Sequence, residues 1–181
     1  IQTRLTQIAA NEGVEIEPEA TQILASRAAG SMRDSQSLLE QLLAFGGEHL
    51  SVDSVHQLLG TAHSGRVTGL VQCCLHRDAA GALAETAAAI QEGVEVSQLV
   101  EQLLGYFRDM MAAAVNCPAY AMLHTTRDEY DALVESAKAM CLARILAAIQ
   151  ILDHAIVRMR ASTQIRPLAE TAVVRLCHLE Q

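Results

Sequence analysis

The sequence predicts an all-α fold. Apolar types make up 51% of its residues, whereas aromatic residues contribute only 3% and Trp is absent. A core built from Leu, Ala, Ile and Val favours helix over sheet. Apolar residues also recur at intervals of three and four, which is the period of one helix face. With 181 residues, the chain can bury a core in one large or two small domains.

Four short helices are predicted within residues 1–60, and together they form a compact bundle. Ser31 caps the third helix, and Asp34 follows at the spacing of a short capping box. The helix boundaries are marked by capping and breaking residues at Asn11-Glu12-Gly13, Pro18, Gly30-Ser31, Phe45-Gly46-Gly47, Ser51 and Gly60.

Longer helices are predicted after Gly60. The pattern over 126–160 is too long for a typical globular helix, so we expect a break between Lys138 and Leu142. Thr126 and Glu129 have the spacing of a capping box. The predicted ranges are 65–77, 78–91, 97–115, 126–160 with its break, and a last helix that starts near residue 167. We therefore place two domains at residues 1–62 and 63–181.

The second half of the 126–160 pattern carries a coiled-coil-like apolar seam. Its members are Leu142, Ile145, Ile149, Leu152, Ile156 and Met159. The seam can pack inside its own domain, with Ile145, Leu146, Ile149 and Ile156 as core. It can equally meet another subunit, with Arg158, Arg160 and Arg166 near the rim of the interface. The sequence supports both interpretations.

The net charge of −8 opposes direct binding of DNA or RNA, because an acidic chain repels phosphate backbones. No uninterrupted apolar stretch approaches the roughly 20 residues of a membrane helix. No amino-terminal signal sequence is evident. We therefore expect a cytoplasmic protein. Because the chain begins with Ile1 and its first residues already have a helical pattern, we expect a fragment of a longer protein.

Several residues that could support chemistry have simpler explanations. The five cysteines form no CxxC pair and are predicted to be small buried apolar residues. Cys73, Cys74 and His76 lack a second ligand cluster, so no metal site is expected. His154 and His178 are predicted to have surface or core roles. Asp128, Glu129 and Asp131 suit the amino end of a helix.

Arg33 is the residue that most clearly suggests a binding function. It projects roughly opposite an apolar cluster that contains Met32, Leu38 and Leu42. It also lies in a first helical turn, where the helix dipole disfavours a cation by several tenths of a kcal/mol. A guanidinium matches phosphate oxygens in charge and geometry. Chemistry alone favours a solvated surface arginine, and a phosphate contact is the alternative.

The segment around Arg33 resembles the sensor-2 helix of the gamma/tau family of bacterial DNA polymerase III. The resemblance is carried by Gly30-Ser31-Met32-Arg33-Asp34, Leu38-Leu39-x-Gln41 and Ala44-Phe45-Gly46-Gly47. The flanking segments Arg4-Leu5-x-x-Ile8-Ala9 and Val55-x-x-Leu58-Leu59-Gly60-Thr61 are similar to the entry and exit of the family's lid domain. Residues 64–181 resemble its collar domain more loosely, mainly in the closing segment 167–176.

The resemblance implies a lid and a collar of an AAA+ clamp-loader ATPase. It implies that Arg33 reaches the terminal phosphates of a nucleotide and that Met32 lies near the base. It also implies that the collar assembles with gamma/tau copies, delta and delta-prime. The complete assembly would use ATP and Mg²⁺ to load the sliding clamp onto primed DNA.

The family's GxxxxGK[ST] phosphate loop does not occur in this sequence. We therefore expect this fragment to be no enzyme and to hold no cofactor, whereas the complete parent would be an ATPase subunit of a DNA polymerase complex. One alternative is a helical scaffold that binds partner helices and has no link to nucleotides. Another is the lid and collar of a different AAA+ protein, such as replication factor C or a Holliday-junction motor.

Overall fold

The computed structural model describes residues 1–28, 31–45 and 49–179. The chain divides into two compact units, residues 1–60 and 61–181. The functional domains predicted from the sequence, residues 1–62 and 63–181, stay predictions. Helices dominate both units, which confirms the predicted all-α class.

The described residues of unit 1 form four helices and one short strand pair. Their bounds are α1 Gln2–Asn11, β1 Glu15–Ile16, α2 Pro18–Arg27, α3 Met32–Phe45, β2 His49–Leu50 and α4 Val52–Leu59. Pro18 occupies the first turn of α2, and Gly60 ends α4 in the left-handed conformation at φ 62°. The predicted ends at Gly30 and Gly46-Gly47 lie outside the described residues.

The strand pair was not predicted from the sequence. Strands β1 and β2 are parallel, and Glu15 pairs with His49 and Ile16 with Leu50. Two residues per strand are too few to produce an alternating pattern that sequence periodicity can detect. The pair joins the segments that follow α1 and α3, and therefore helps to orient α3.

Unit 2 contains six α-helices within its described residues. Their bounds are α5 Ser64–Leu75, α6 Ala79–Gln91, α7 Val96–Ala114, α8 Tyr130–Met140, α9 Leu142–Arg160 and α10 Ile165–Cys177, with a 3₁₀ turn at Ala119–Ala121. Helices α7 and α9 form the principal packed pair. The largest fully buried side chain is Phe107, on α7.

The predicted break between Lys138 and Leu142 is confirmed. Cys141 separates α8 from α9 with a positive φ of 60°, and the two helices meet at 100°. Within the described residues no single helix is long and apolar enough to cross a membrane, although α8 and α9 together meet those criteria as a bent pair.

The predicted Thr126–Glu129 capping box forms only in part. The Glu129 carboxylate accepts hydrogen bonds from the Thr126 amide at 3.0 Å and from its hydroxyl at 2.9 Å. Helix α8 begins later, at Tyr130. The pair therefore stabilises the turn that precedes the helix.

Candidate functional site

Helix α3 places Arg33 on the outer face of unit 1. Leu39 and Leu42 on the same helix are 0% exposed and pack in the core of the unit. Arg33 is exposed, as is Glu40, which lies two turns further along the same face. The buried leucines therefore fix the direction in which Arg33 points.

Hydrogen bonds define the amino end of α3. The Ser31 hydroxyl oxygen accepts the amide of Asp34 at 3.3 Å, which confirms Ser31 as the N-cap. In a complete capping box the Asp34 carboxylate would accept the amide of Ser31. Here the Ser31 amide instead donates to the carbonyl of Ala28 at 2.8 Å. The buried Ser35 hydroxyl donates to the carbonyl of Met32 at 2.9 Å.

Arg33 has neither an ion pair nor a hydrogen bond to its side chain among the described residues. It occupies the second position of α3, where the positive end of the helix dipole disfavours a cation. A guanidinium in this position remains available to an external anion, and the adjacent helix terminus adds to the positive potential. The nucleotide contact itself stays a prediction.

The position of Met32 differs from the predicted one. The sequence pattern grouped it with the apolar cluster of the helix, but its side chain is 37% exposed. Met32 lies at the first position of α3, whereas the α3 side chains that pack in the core of unit 1 begin further along the helix. An exposed thioether beside Arg33 is compatible with contact to a flat apolar group.

Glu17 ties the strand pair to the last helix of unit 1. Its carboxylate accepts the amide of Val52, the first residue of α4, at 2.7 Å and lies 3.3 Å from Nε2 of His49. The bond from Val52, together with the bond from His49, lowers the pKa of the Glu17 carboxyl below its usual value. Sequence patterning does not indicate this link, which joins residues 35 positions apart.

The predicted interface arginines all lie on the surface of unit 2. Arg158 and Arg160, near the end of α9, are exposed. Arg166 on α10 is also exposed and forms an ion pair with Glu170 at 2.7 Å. Exposure makes these residues accessible to another subunit, and their role in assembly stays a prediction.

The apolar seam of α9 is largely internal to unit 2. Ile145 and Leu152 are 0% exposed, and Ile156 and Met159 are below 9%. Leu146, which one of the two interpretations placed in the core, is 42% exposed, because it lies about 100° around the helix from Ile145. A second, outward-facing set of apolar side chains consists of Leu142 at 39%, Leu146 and Val157 at 58% exposure.

The cysteines do not all follow the prediction of buried positions. Cys74 and Cys177 are buried, with their sulfur atoms 3.9 Å apart, whereas Cys141 is exposed at the junction of α8 and α9. Burial raises the pKa of both buried thiols, which keeps them protonated. No group of three potential metal ligands occurs within the part of the chain that the structure describes.

Three polar side chains in unit 2, all buried or partly buried, were not identified by sequence reasoning. Gln102 bonds both the amide and the carbonyl of Ala62, at 2.7 and 2.8 Å. Asp109 is 0% exposed. Arg144 is 7% exposed, and its Nε and Nη2 atoms have no hydrogen-bond partner among the described residues. A polar residue on an apolar helix face is the signal that could have identified the last two.

Two family models together match almost the whole chain. The model for the DNA polymerase III clamp loader subunit, ATPase lid domain, matches residues 1–48. The model for DNA polymerase III subunits gamma and tau domain III matches residues 50–181.

Curated relatives give the same result. The DNA polymerase III subunit tau of Bacillus subtilis is 27% identical over 96% of this chain and 31% of the relative. The Escherichia coli subunit tau is 32% identical over 58% of this chain and 16% of the relative. Protein STICHEL-like 1 of Arabidopsis thaliana is 28% identical over 90% of this chain and 14% of the relative. The chain therefore spans less than a third of each relative's length.

A solved structure supports the fold. The Bacillus subtilis DNA clamp loader delta protein superposes with a TM-score of 0.58 at 14% identity. The superposition covers 98% of this chain and 56% of that protein. At this level of identity the likeness concerns the fold alone.

Proposed function

Because this chain belongs to the family of DNA polymerase III subunits gamma and tau, we propose that it contributes nucleotide sensing and subunit assembly to a clamp-loader ATPase. Unit 1 carries the sensing function and unit 2 the assembly function. The observation that carries the proposal is Arg33, which is exposed on a firmly packed helix and has no ion-pair partner among the described residues.

Arg33 would contact the terminal phosphates of ATP when the lid closes over the nucleotide. A guanidinium fork forms paired hydrogen bonds with phosphate oxygens, and this contact is lost when the terminal phosphate leaves. The rigid packing of Leu39 and Leu42 would transmit that contact to the whole lid. Met32 would lie against the base.

The remaining parts of the ATPase would come from a complete subunit. The phosphate loop, the groups that hold Mg²⁺ and the catalytic carboxylates would all lie there, and this chain by itself would not act as an enzyme. Unit 2 would assemble with gamma/tau copies, delta and delta-prime. The whole assembly would load the sliding clamp onto primed DNA. It would be located in the cytoplasm.

The sensing role can be tested with Arg33→Ala in a complete subunit that contains this chain. We expect ATP-dependent clamp loading to fall at least tenfold, while the thermal unfolding of the lid stays unchanged. Arg33→Lys should be intermediate, because lysine keeps the charge but lacks the planar fork.

Arg4→Ala is the matched control, since Arg4 is another exposed arginine of unit 1, on α1. It should load clamps at the normal rate. Normal loading by Arg33→Ala would contradict the sensing role and would leave a helical scaffold as the better description.

A further inference from the structure

Two buried cysteines on the first and last helices of unit 2 are in contact. The sulfur atoms of Cys74 on α5 and Cys177 on α10 lie 3.9 Å apart, although 103 positions separate the two residues in the chain. Their side chains are 1% and 0% exposed. A disulfide needs a sulfur–sulfur distance of about 2.05 Å, and rotations of the two side chains about their Cα–Cβ bonds can close the difference. The pair is therefore placed to cross-link α5 and α10.

A buried positive charge acts on this pair. Arg144, on α9, is 7% exposed, and its Nε and Nη2 atoms have no hydrogen-bond partner among the described residues. Burial raises the pKa of the Cys74 thiol, and the charge of Arg144 opposes that rise. Because the thiolate is the nucleophile in disulfide chemistry, Arg144 favours the reactive form of Cys74 while α10 is packed in place.

Cys177 is the member of the pair that a reagent in solution meets first. It is the last residue of α10, and helix ends open at a lower free energy than packed helix interiors. Cys74 is instead held where α5 turns into α6. There the amide of Arg77 donates to the Cys74 carbonyl at 3.3 Å, and the amide of Asp78 donates to the Cys73 carbonyl at 2.9 Å. Local opening at the end of α10 therefore exposes Cys177 before Cys74.

We propose that Cys177 and Cys74 form a reversible disulfide when the protein meets hydrogen peroxide. The thiolate of Cys177 attacks a peroxide oxygen, the O–O bond breaks, and a sulfenic acid and a hydroxide ion result. When α10 packs again, the thiolate of Cys74 attacks the Cys177 sulfur, so that the S–S bond forms and the S–O bond breaks with loss of a second hydroxide. The protons released by the two thiols convert both hydroxides to water.

The cross-link makes the end of α10 resistant to opening. It closes a loop that spans 103 positions, and a cross-link restricts the unfolded chain more strongly as the loop becomes longer. Oxidation therefore stabilises unit 2, and reduction by a thiol reverses the effect. This redox response does not depend on the proposed function, because neither nucleotide sensing nor subunit assembly enters the argument.

Peroxide treatment of the 181-residue chain tests the disulfide. A two-cysteine variant with Cys73→Ala, Cys117→Ala and Cys141→Ala excludes other pairings. After alkylation in denaturant, its intact mass should be lower by two hydrogen atoms and should include no alkyl group. Tryptic digestion of wild type and variant should give one product that joins residues 67–77 to residues 176–181, and dithiothreitol should separate the two peptides.

Thermal unfolding measures the effect on unit 2. Peroxide should raise the unfolding temperature of the two-cysteine variant by at least about 5 °C, and dithiothreitol should reverse the rise. Adding Cys177→Ala provides the matched control, because a single thiol remains and no internal cross-link can form. Its unfolding temperature should stay the same with and without peroxide.

Trapping of sulfenic acid with dimedone tests the assigned order and the part of Arg144, each substitution being added to the two-cysteine variant. Cys74→Ala should leave a labelled sulfenic acid at Cys177, whereas Cys177→Ala should reduce labelling at least tenfold. Arg144→Met should slow disulfide formation at least threefold, because loss of the charge lowers the fraction of Cys74 thiolate. Arg160→Met removes an exposed charge from the same helix and should leave the rate unchanged. Circular dichroism verifies that the variants are folded.

Three results would overturn the inference. If peroxide leaves Cys74 and Cys177 unlinked while it oxidises the exposed Cys141 of the wild type, the pair is only a packing contact. If the cross-link forms without a rise in unfolding temperature, it does not restrain α10. If Cys177→Ala is labelled as strongly as Cys74→Ala, or Arg144→Met reacts at the unchanged rate, the assigned order or the part of Arg144 is wrong.

Discussion

The carboxylate of Asp109 on α7 accepts the backbone amide of His124 at 2.7 Å. The amides of Leu123 and Thr125 donate to the same carboxylate, at 3.1 and 2.8 Å for their nearest oxygens. Arg108 completes the site with a 2.7 Å contact to Asp109 and a 3.1 Å bond to the carbonyl of Ala121. One buried side chain therefore organises the connection between α7 and α8.

Asp109→Asn should destabilise unit 2 by about 2–3 kcal/mol, because an amide offers one acceptor oxygen where the carboxylate offers two charged ones. Urea unfolding followed by circular dichroism measures the change. Asp128→Asn is the matched control, since Asp128 is exposed in the same connection, and it should stay within about 0.5 kcal/mol of the wild type. Equal stability of the two variants would contradict the structural role of Asp109.

The contribution of Asp109 should disappear in acid. Burial opposes its charged form, but the Arg108 guanidinium and the three amides outweigh burial, so the pKa lies below its usual value. Because the pKa of Asp109 is lower in the folded state than the value of about 4 in the unfolded state, the ionised carboxylate stabilises the folded protein at any pH above the unfolded-state pKa. This stabilisation is lost as the pH falls through the folded-state pKa. The stability difference between wild type and Asp109→Asn should therefore be smaller at pH 3 than at pH 7. A constant difference would refute this linkage.

Gly105 should not tolerate a methyl group. A Cβ on Gly105 would lie 2.7 Å from the ring of His124, whose backbone is held by Asp109. Gly105→Ala should cost about 1–3 kcal/mol through this overlap. Adding His124→Ala should recover most of the loss.

Gly69→Ala provides the control for Gly105, because a Cβ there would meet Glu85 at an ordinary 3.7 Å. That substitution lies in α5 and should be neutral or stabilise by up to about 1 kcal/mol through helix propensity. Thermal unfolding of these three variants and of the wild type measures both effects. A similar response at the two glycines would show that the His124 ring does not restrict Gly105.

Ser31→Ala should destabilise unit 1, whereas Arg33→Ala should not. Loss of the Ser31 N-cap should cost about 1 kcal/mol. Removing the Arg33 cation from the first turn of α3 should be neutral or slightly stabilising, by a few tenths of a kcal/mol. Hydrogen exchange of the α3 amides distinguishes them. Strong destabilisation by Arg33→Ala would mean that Arg33 is structural.

The features of α3 could be predicted from the sequence because they depend on neighbouring residues. Ser31 as a cap, the end at Phe45 and the outward direction of Arg33 all follow from residues within one or two helical turns. The exposure of Met32 and Leu146 was not predicted, because periodicity identifies a face and the surrounding helices determine how wide the buried part of that face becomes.

The sequence by itself determined the helical class, the helix bounds to within a few residues, the break before Leu142 and the family, since capping, periodicity and local motifs act over short distances. Only the tertiary structure decided which polar groups are buried and which cations share a surface. Asp109 binds amides more than ten residues away, and Arg158 on α9 and Arg175 on α10 line the same small cavity. Such juxtapositions depend on how separate helices pack, and no short stretch of sequence encodes them.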